Sequence, residues 1–108
     1  MKLATETFGS VTVVHTPEEL GGDAVKQLEE HLTTLDRVNI VVDLNGTENI
    51  DSLGLEALLN AQESLRALGG DLKIATDNTS NQTILRITRI DEQLEVYDTV
   101  LTAVKSFI

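Results

Sequence analysis

The chain has 108 residues, a length that predicts one domain, residues 1–108, with a core of its own. Its 18 acidic and 8 basic residues give a net charge of −10, which repels nucleic acid and anionic membranes. No cysteine is present, which excludes disulfides and thiolate metal sites. The start, "MKLATETFGS", lacks the apolar core of a signal peptide, and no apolar run approaches the roughly 20 residues that span a bilayer. We therefore expect a soluble, cytoplasmic protein.

The first half of the chain alternates strands with an amphipathic helix. The segment Val11–His15 is β-branched and predicts a strand, and a turn at Phe8–Ser10 predicts an antiparallel edge hairpin before it. After the loop "TPEELGGD", apolar residues recur at helical spacing, which predicts a helix with Asp23 as N-cap and the stripe Val25, Leu28, Leu32 and Leu35. The nearly continuous apolar run Val38–Leu44 predicts a strand covered on both faces.

The next segment repeats this alternation. We interpret "NGTENID" as a loop, and a leucine stripe then predicts a helix that ends at Gly69-Gly70. The stripe consists of Leu55, Leu58, Ala61 or Gln62, Leu65 and Leu68. The segment Asp71–Thr76 predicts a third strand.

The last third predicts a short helix, a short strand and a final helix. In "SNQTILRITRI" we expect Ile84, Ile87 and also Leu85 to face inward. The segment "LEVY" predicts the strand, and Asp98 is the predicted N-cap of a helix that carries Val100, Val104 and Phe107. Alternating strands and helices with short connections predict an α/β fold with right-handed crossovers between parallel strands.

The common catalytic and metal-binding motifs are missing from the sequence. "DLNGTENID" begins like a calcium loop, but its glycine is fourth rather than sixth. The two histidines, His15 and His31, have no metal or triad spacing, so we expect both to be structural or solvated. A hydrolase elbow at Ser52 needs glycine two residues earlier, where Ile50 stands. A carboxylate-based hydrolase or nucleotide-binding enzyme stays open, although no carboxylate pair stands out. We predict no catalytic residue, metal or cofactor.

Ser52 lies in "ENIDSLGLEALL", at the start of the second predicted helix. Either Asp51 or Ser52 can serve as the helix N-cap, and Ser52→Ala would then cost about 0.5–2 kcal/mol if Ser52 is the cap. A phosphate on Ser52 is the alternative interpretation, because helix N-termini accommodate anions.

The surroundings of Ser52 are strongly acidic. Between positions 38 and 65 the chain has no Lys or Arg and five carboxylates, namely Asp43, Glu48, Asp51, Glu56 and Glu63. Phosphorylation adds a charge of about −1.5 to −2. Since no basic residue close in sequence neutralises that charge, we expect it to repel an acidic or apolar partner while leaving the fold intact.

At these residues the chain resembles the STAS domain family, in particular the bacterial anti-sigma factor antagonists. The resemblance is carried by "VNIVVDLNGTENIDSLGLEALL", by "LGGDLKIAT" and by "ILRITRIDEQLEVYDTVLTAV", and it covers nearly the whole chain. It implies a single STAS-like domain with a small mixed sheet of four or five strands and about four helices mainly on one side.

The resemblance implies a function as well. In the family, the serine that matches Ser52 is phosphorylated by an anti-sigma factor kinase; the unmodified form binds that kinase, and a phosphatase resets the cycle. It also implies no catalytic activity of the chain's own, with ATP and magnesium brought by the kinase. We expect a monomer or weak dimer, and a partner-binding surface formed by Gly21, Asp23, Asn49, Asp51, Ser52, Leu53, Gly54 and Glu56.

Two positions depart from the family pattern. Leu53 stands where Ser or Thr usually precedes the glycine, and in "EELG" Gly21 stands where an aspartate that engages the kinase is often found. These departures motivate an alternative, an unswitched STAS binding or scaffold subunit of a transport or sensory complex.

Overall fold

Seven strands and four α-helices form the structure, a computed structural model that describes residues 3–33 and 38–107. The predicted stripe residue Leu35 lies outside the described residues. In chain order the elements are β1 (Thr5–Phe8), β2 (Val11–His15), β3 (Glu19–Leu20), α1 (Asp23–Thr33), β4 (Asn39–Asp43), β5 (Asn49–Ile50), α2 (Ser52–Ala67), β6 (Asp71–Ala75), α3 (Thr79–Ile87), a 3₁₀ turn (Ile90–Glu92), β7 (Val96–Tyr97) and α4 (Val100–Lys105).

Five strands form one mixed sheet in the order β1-β2-β4-β6-β7. The edge strand β1 is antiparallel to β2, and the remaining neighbours are parallel. β4 is covered on both faces, since its middle residues Ile40, Val41 and Val42 are all fully buried. The predicted mixed α/β fold and the predicted N-terminal edge hairpin are both confirmed.

The two faces of the sheet bury separate apolar clusters. The larger cluster joins β4 and β6 to α1, α2 and α3 through residues such as Leu28, Leu58 and Leu85. The smaller cluster joins the opposite face to α4, chiefly through Ala103 and Val104. Three helices therefore cover one face and α4 covers the other, which confirms the prediction of helices mainly on one side.

A second sheet, of two parallel two-residue strands, was not predicted. β3 and β5 lie within the segments interpreted as the loops "TPEELGGD" and "NGTENID". Backbone hydrogen bonds join them: the Glu48 amide donates to the Glu18 carbonyl at 2.7 Å, and the Asp51 amide donates to the Leu20 carbonyl at 3.2 Å. This small sheet brings the segment after β2 against the start of α2.

Several predicted ends and inward residues are wrong. Asp23 is the first residue of α1 and not its cap. In the first turn its carboxylate interacts favourably with the positive end of the helix dipole. Thr99, not Asp98, caps α4, and its hydroxyl accepts the Thr102 amide at 3.1 Å, while Asp98 accepts a hydrogen bond from Gln82. Ile87 and the predicted stripe residue Leu68 are each 71% exposed, since Ile87 is the last residue of α3 and Leu68 is the C-cap of α2.

The start of α2 approaches β3 so closely that position 54 has no room for a side chain. A Cβ on Gly54 would overlap the carbonyl oxygen of Leu20 and would lie 3.0 Å from Ile50 Cγ1. The helix can therefore begin beside β3 only because residue 54 is glycine.

We predict that Gly54→Ala destabilises the fold, although alanine normally favours a helix over glycine by about 1 kcal/mol. The methyl group must push backbone against backbone, and overpacking of this kind costs about 1–3 kcal/mol. Chemical denaturation of both proteins measures the change. Gly46→Ala is the control, since its Cβ would meet Thr16 O at an ordinary 3.7 Å. A neutral or stabilising Gly54→Ala would contradict the close contact.

Candidate functional site

Asp51, and not Ser52, caps the helix α2. Asp51 has extended backbone angles, and its Oδ1 accepts a hydrogen bond from the Gly54 amide at 2.9 Å. Ser52 is the first residue inside the helix, one position past the cap. Of the two caps that the sequence left open, the structure therefore selects the carboxylate.

Ser52 is exposed, and its hydroxyl makes no hydrogen bond within the described ranges. The next residue, Leu53, is 54% exposed, so an apolar side chain stands on the surface beside the hydroxyl. Both are presented by the first turn of a 16-residue helix whose buried face is anchored in the core. The hydroxyl is thus accessible to an approaching protein and is not needed to hold the helix.

The other predicted partner-binding residues lie around this helix start with different exposures. Asn49 and Glu56 are exposed, as is Asp23 at the beginning of α1, whereas Gly54 is buried and Gly21 is half-buried. The structure brings Gly21 directly against Asp51, although the two are far apart in sequence.

The contact between Gly21 and Asp51 leaves no room for another side chain. A Cβ on Gly21 would overlap the Asp51 carboxylate, including its Oδ2. The glycine in "EELG" is therefore required by the position of the capping residue. An aspartate at position 21 would place a second carboxylate against the first.

An open groove of about 500 Å³ lies beside the helix start, between β3, β5 and α3. Its lining includes three carboxylates, from Glu19, Glu48 and Asp51, which form no ion pair within the described part of the chain. The apolar part of the lining comes from Leu20, Ile50 and Ile84. Sequence reasoning missed Glu19 and Ile84 as members of this surface, since only the pairing of β3 with β5 and the packing of α3 bring them there.

A buried polar network supports the loop that leads into β5. The Asn81 amide group of α3 donates to the backbone carbonyls of Leu44, at 3.2 Å, and Thr47, at 2.9 Å. The buried Thr47 hydroxyl in turn donates to the Pro17 carbonyl and contacts the Thr16 hydroxyl. This network ties α3 and the segment before β3 to the loop, and so it holds the loop beside the groove in one conformation.

Over residues 3–33 and 38–107, no group of three His, Asp or Glu side chains is arranged to hold a metal ion. Over the same ranges, the structure has no helix with the length and apolar character that a membrane span requires.

We predict that Asp51→Ala destabilises the protein by about 0.5–2 kcal/mol, because it removes the N-cap of α2. Ser52→Ala should change stability by less than about 0.5 kcal/mol, as surface substitutions usually do. Asp51→Asn is the matched control, since an asparagine side chain keeps the capping oxygen. Thermal or urea unfolding distinguishes the variants, and a larger loss for Ser52→Ala than for Asp51→Ala would refute the assignment of the cap.

We also predict that Asn81→Ala costs about 1–3 kcal/mol, because two buried carbonyls lose their donor. Asn60→Ala, at an exposed position of α2, should have almost no effect. The two unfolding free energies give the comparison. Equal values would mean that the Asn81 hydrogen bonds do not stabilise the loop.

Three comparisons with known proteins agree with this architecture. A relative from Thermotoga neapolitana, named as a candidate anti-sigma factor antagonist, is 30% identical over 66 residues, which are 61% of this chain and 58% of the relative. The match thus spans less than two thirds of that relative's length. The crystal structure of an anti-sigma factor antagonist from Mycobacterium paratuberculosis has a TM-score of 0.86 at 21% identity and covers 97% of this chain and 92% of that one.

A third similar structure is the phosphorylated form of the Bacillus cell-fate determinant SpoIIAA. It has a TM-score of 0.75 at 16% identity, over 98% of this chain and 99% of that one. At such identities, both structural likenesses show a shared fold. The sequence profile of the STAS domain matches residues 2–103. Because this match extends over almost the whole sequence, the chain belongs to the STAS domain family.

Proposed function

We propose that this protein is a phosphorylation-controlled binding module, an anti-sigma factor antagonist whose phosphoacceptor is Ser52. The observation that carries the proposal is the exposed Ser52 hydroxyl, which stands on a rigid helix start while Asp51 serves as the cap. A modifying enzyme can reach such a hydroxyl without unfolding the chain.

The fold should tolerate a phosphate at this position. The hydroxyl is exposed and makes no contact that modification would break. The N-terminus of α2 also has a positive dipole end, which favours an anion on its first turn. Phosphorylation therefore changes the surface and leaves the core as it is.

A partner that fits the unmodified surface should not tolerate the same phosphate. Three groove carboxylates, from Glu19, Glu48 and Asp51, already lie close to the helix start, and the lining contains no Lys or Arg. The exposed Leu53 offers a docking partner apolar contact directly beside Ser52. A dianion there must be desolvated on docking, and the described groove lining supplies no Lys or Arg to offset that cost.

The partner in this proposal is an anti-sigma factor that is also a kinase. It binds the form with unmodified Ser52 and is released when Ser52 is phosphorylated, and a phosphatase restores the first form. The names of the relatives and the phosphorylated state of the Bacillus neighbour support this assignment. The kinase would supply ATP and magnesium, so the chain would need no cofactor or catalytic residue of its own, and the cycle would take place in the cytoplasm.

The surface proposed for this partner comprises Gly21, Asp23, Asn49, Asp51, Ser52, Leu53, Gly54 and Glu56, within a single domain. Two of these residues act indirectly. Gly54 allows α2 to start against β3, and Gly21 leaves space for the Asp51 carboxylate. The exposed members, including Leu53 and Glu56, are the ones available for direct contact.

We predict that Ser52→Asp weakens binding to the cognate anti-sigma factor at least tenfold, because it places a negative charge on the docking surface. Ser64→Asp is the matched control, since Ser64 is an exposed serine in the same helix but lies several turns away. Isothermal titration calorimetry with kinases encoded near this gene measures both affinities.

The same kinases, incubated with ATP and the unmodified protein, should phosphorylate Ser52 and leave the Ser52→Ala variant unlabelled. Mass spectrometry locates the phosphate. Tight binding that is indifferent to Ser52→Asp, together with no label on Ser52, would favour the alternative of an unswitched STAS scaffold subunit.

A further inference from the structure

His15 is the one residue in the described part of the chain that links three strands of the main sheet through its side chain. It is the last residue of β2. Its Nδ1 lies 2.7 Å from Asp43 Oδ2 on β4, and its Nε2 lies 2.6 Å from Glu6 Oε1 on the edge strand β1. The imidazole thus connects the edge of the sheet to its central strand.

Strand register explains why these three side chains meet. His15 and Asp43 are direct partners in the parallel pairing of β2 with β4. Glu6 is paired with Val13, which is two residues before His15 on β2. Because side chains alternate between the two faces of a sheet, Glu6 and His15 lie on the same face. That face is the one that α4 covers, since Val13 and Val41 belong to the α4 cluster.

Both contacts can be made at once only when the imidazole is protonated. A carboxylate accepts hydrogen bonds and donates none, and a neutral imidazole has one N–H group while the cation has two. On losing its proton, His15 must turn a nitrogen lone pair toward one of the carboxylates. The two ion pairs therefore require one proton on the ring.

The exposures of the two carboxylates decide which contact is lost. The Asp43 side chain is 13% exposed, and its Oδ1 also accepts the Asn45 amide at 2.9 Å. The Glu6 side chain is 58% exposed on an edge strand whose four residues are all exposed. Glu6 can turn into water at little cost, so it is the partner that a neutral His15 releases.

We infer that His15 is a proton-operated fastener that ties the edge strand β1 to β4 across β2, and that loss of its proton loosens β1, which is then held only by its backbone pairing with β2. This inference is independent of the phosphorylation proposed for Ser52, because it concerns only the pairing of β1 in the unmodified protein. The released state is a sheet with a loosened edge strand.

The other charged groups near His15 have partners of their own or are exposed. The charged side chains of β1 and β4 that hydrogen-bond to the ring are Glu6 and Asp43. On the same face β6 presents Lys73, but its Nζ bonds Ser106 Oγ at 2.9 Å and Glu95 Oε2 at 3.3 Å. The charged residue of α4, Lys105, is exposed.

The pKa of His15 gives the direction of the switch. Partial burial alone would lower this pKa, but the hydrogen bonds and the negative charges of Glu6 and Asp43 together raise it above 6.5. Because the pKa of His15 is raised when both contacts are made, the stabilisation from these contacts is fully present at pH values below the ordinary histidine pKa. It is lost as the pH rises through the fastened pKa, which lies above the ordinary histidine value.

The test combines a titration of the His15 ring by NMR with amide hydrogen exchange of β1, in the complete protein over the pH range in which the ring loses its proton. In the wild type, the exchange of β1 amides, corrected for the intrinsic rate, should accelerate as His15 loses its proton. Each unit by which fastening raises the pKa corresponds to about a tenfold change in the opening of β1.

Glu6→Gln should lower the His15 pKa and leave β1 opening nearly independent of pH. Glu63→Gln, at an exposed position of α2, is the matched control and should behave as the wild type does. If Glu6→Gln leaves both the His15 titration and the pH dependence of β1 unchanged, or if β1 of the wild type opens equally at all pH values, the inference is overturned.

Discussion

The contact between the start of α2 and the backbone of β3 is the constraint on which the site depends. Leu20 is fully buried, its carbonyl accepts the Asp51 amide, and the same carbonyl faces Gly54 with no space for a side chain. Backbone packed this closely cannot slide or tilt without a clash. The positions of Asp51, Ser52 and Leu53 follow from it, because the Asp51 amide and Gly54 both contact the Leu20 carbonyl and the other two residues lie between them.

Acidic and basic side chains are unevenly distributed around the start of α2. The carboxylates of the groove lack a basic partner, whereas two cations of the described residues serve the structure elsewhere. Lys73 lies 4.2 Å from the Phe107 ring under α4, and Arg66 Nε lies 3.1 Å from Asp71 Oδ1 at the far end of α2. In the proposed function, such an acidic surface serves to discriminate between partners. One additional dianion at Ser52 would then act on the proposed binding surface far more than on the fold.

The proposed phosphoacceptor and the His15 cluster are structurally connected at the ends of β2 and β4. Thr16, which follows His15, donates its amide to the Asp43 carbonyl at 3.1 Å, and its hydroxyl contacts that of Thr47. Thr47 and Asn81 in turn hold the loop that runs into β5. Both loops that build the groove therefore begin at the ends of the strands that carry His15 and Asp43, and buried hydrogen bonds from Thr16, Thr47 and Asn81 hold them there.

Much of the fold was predictable from the sequence. The strands β2, β4 and β6 and the helices α1 and α2 were predicted because each carries enough residues to show a β-branched or continuous apolar run or a stripe at helical spacing. The exposed serine beside an acidic loop was recognisable for the same reason, as a polar residue between two apolar patterns. The edge hairpin was predictable because a turn segment separates its two strands. These features are local, and local residue types determine them.

The remaining features depended on tertiary contacts. β3 and β5 have two residues each, too few to show any period, and they are strands only because each supplies the other's hydrogen bonds. Asp51 and Ser52 are equally good caps by residue type, and the crowding of Asp51 against Gly21 and β3 accompanies the choice between them. His15, Glu6 and Asp43 are distant in sequence, and only strand register brings their side chains together. The sequence by itself determined the layers and the exposed hydroxyl, whereas the tertiary structure decided the groove, the cap and the histidine cluster, because those depend on distances between segments that no local pattern encodes.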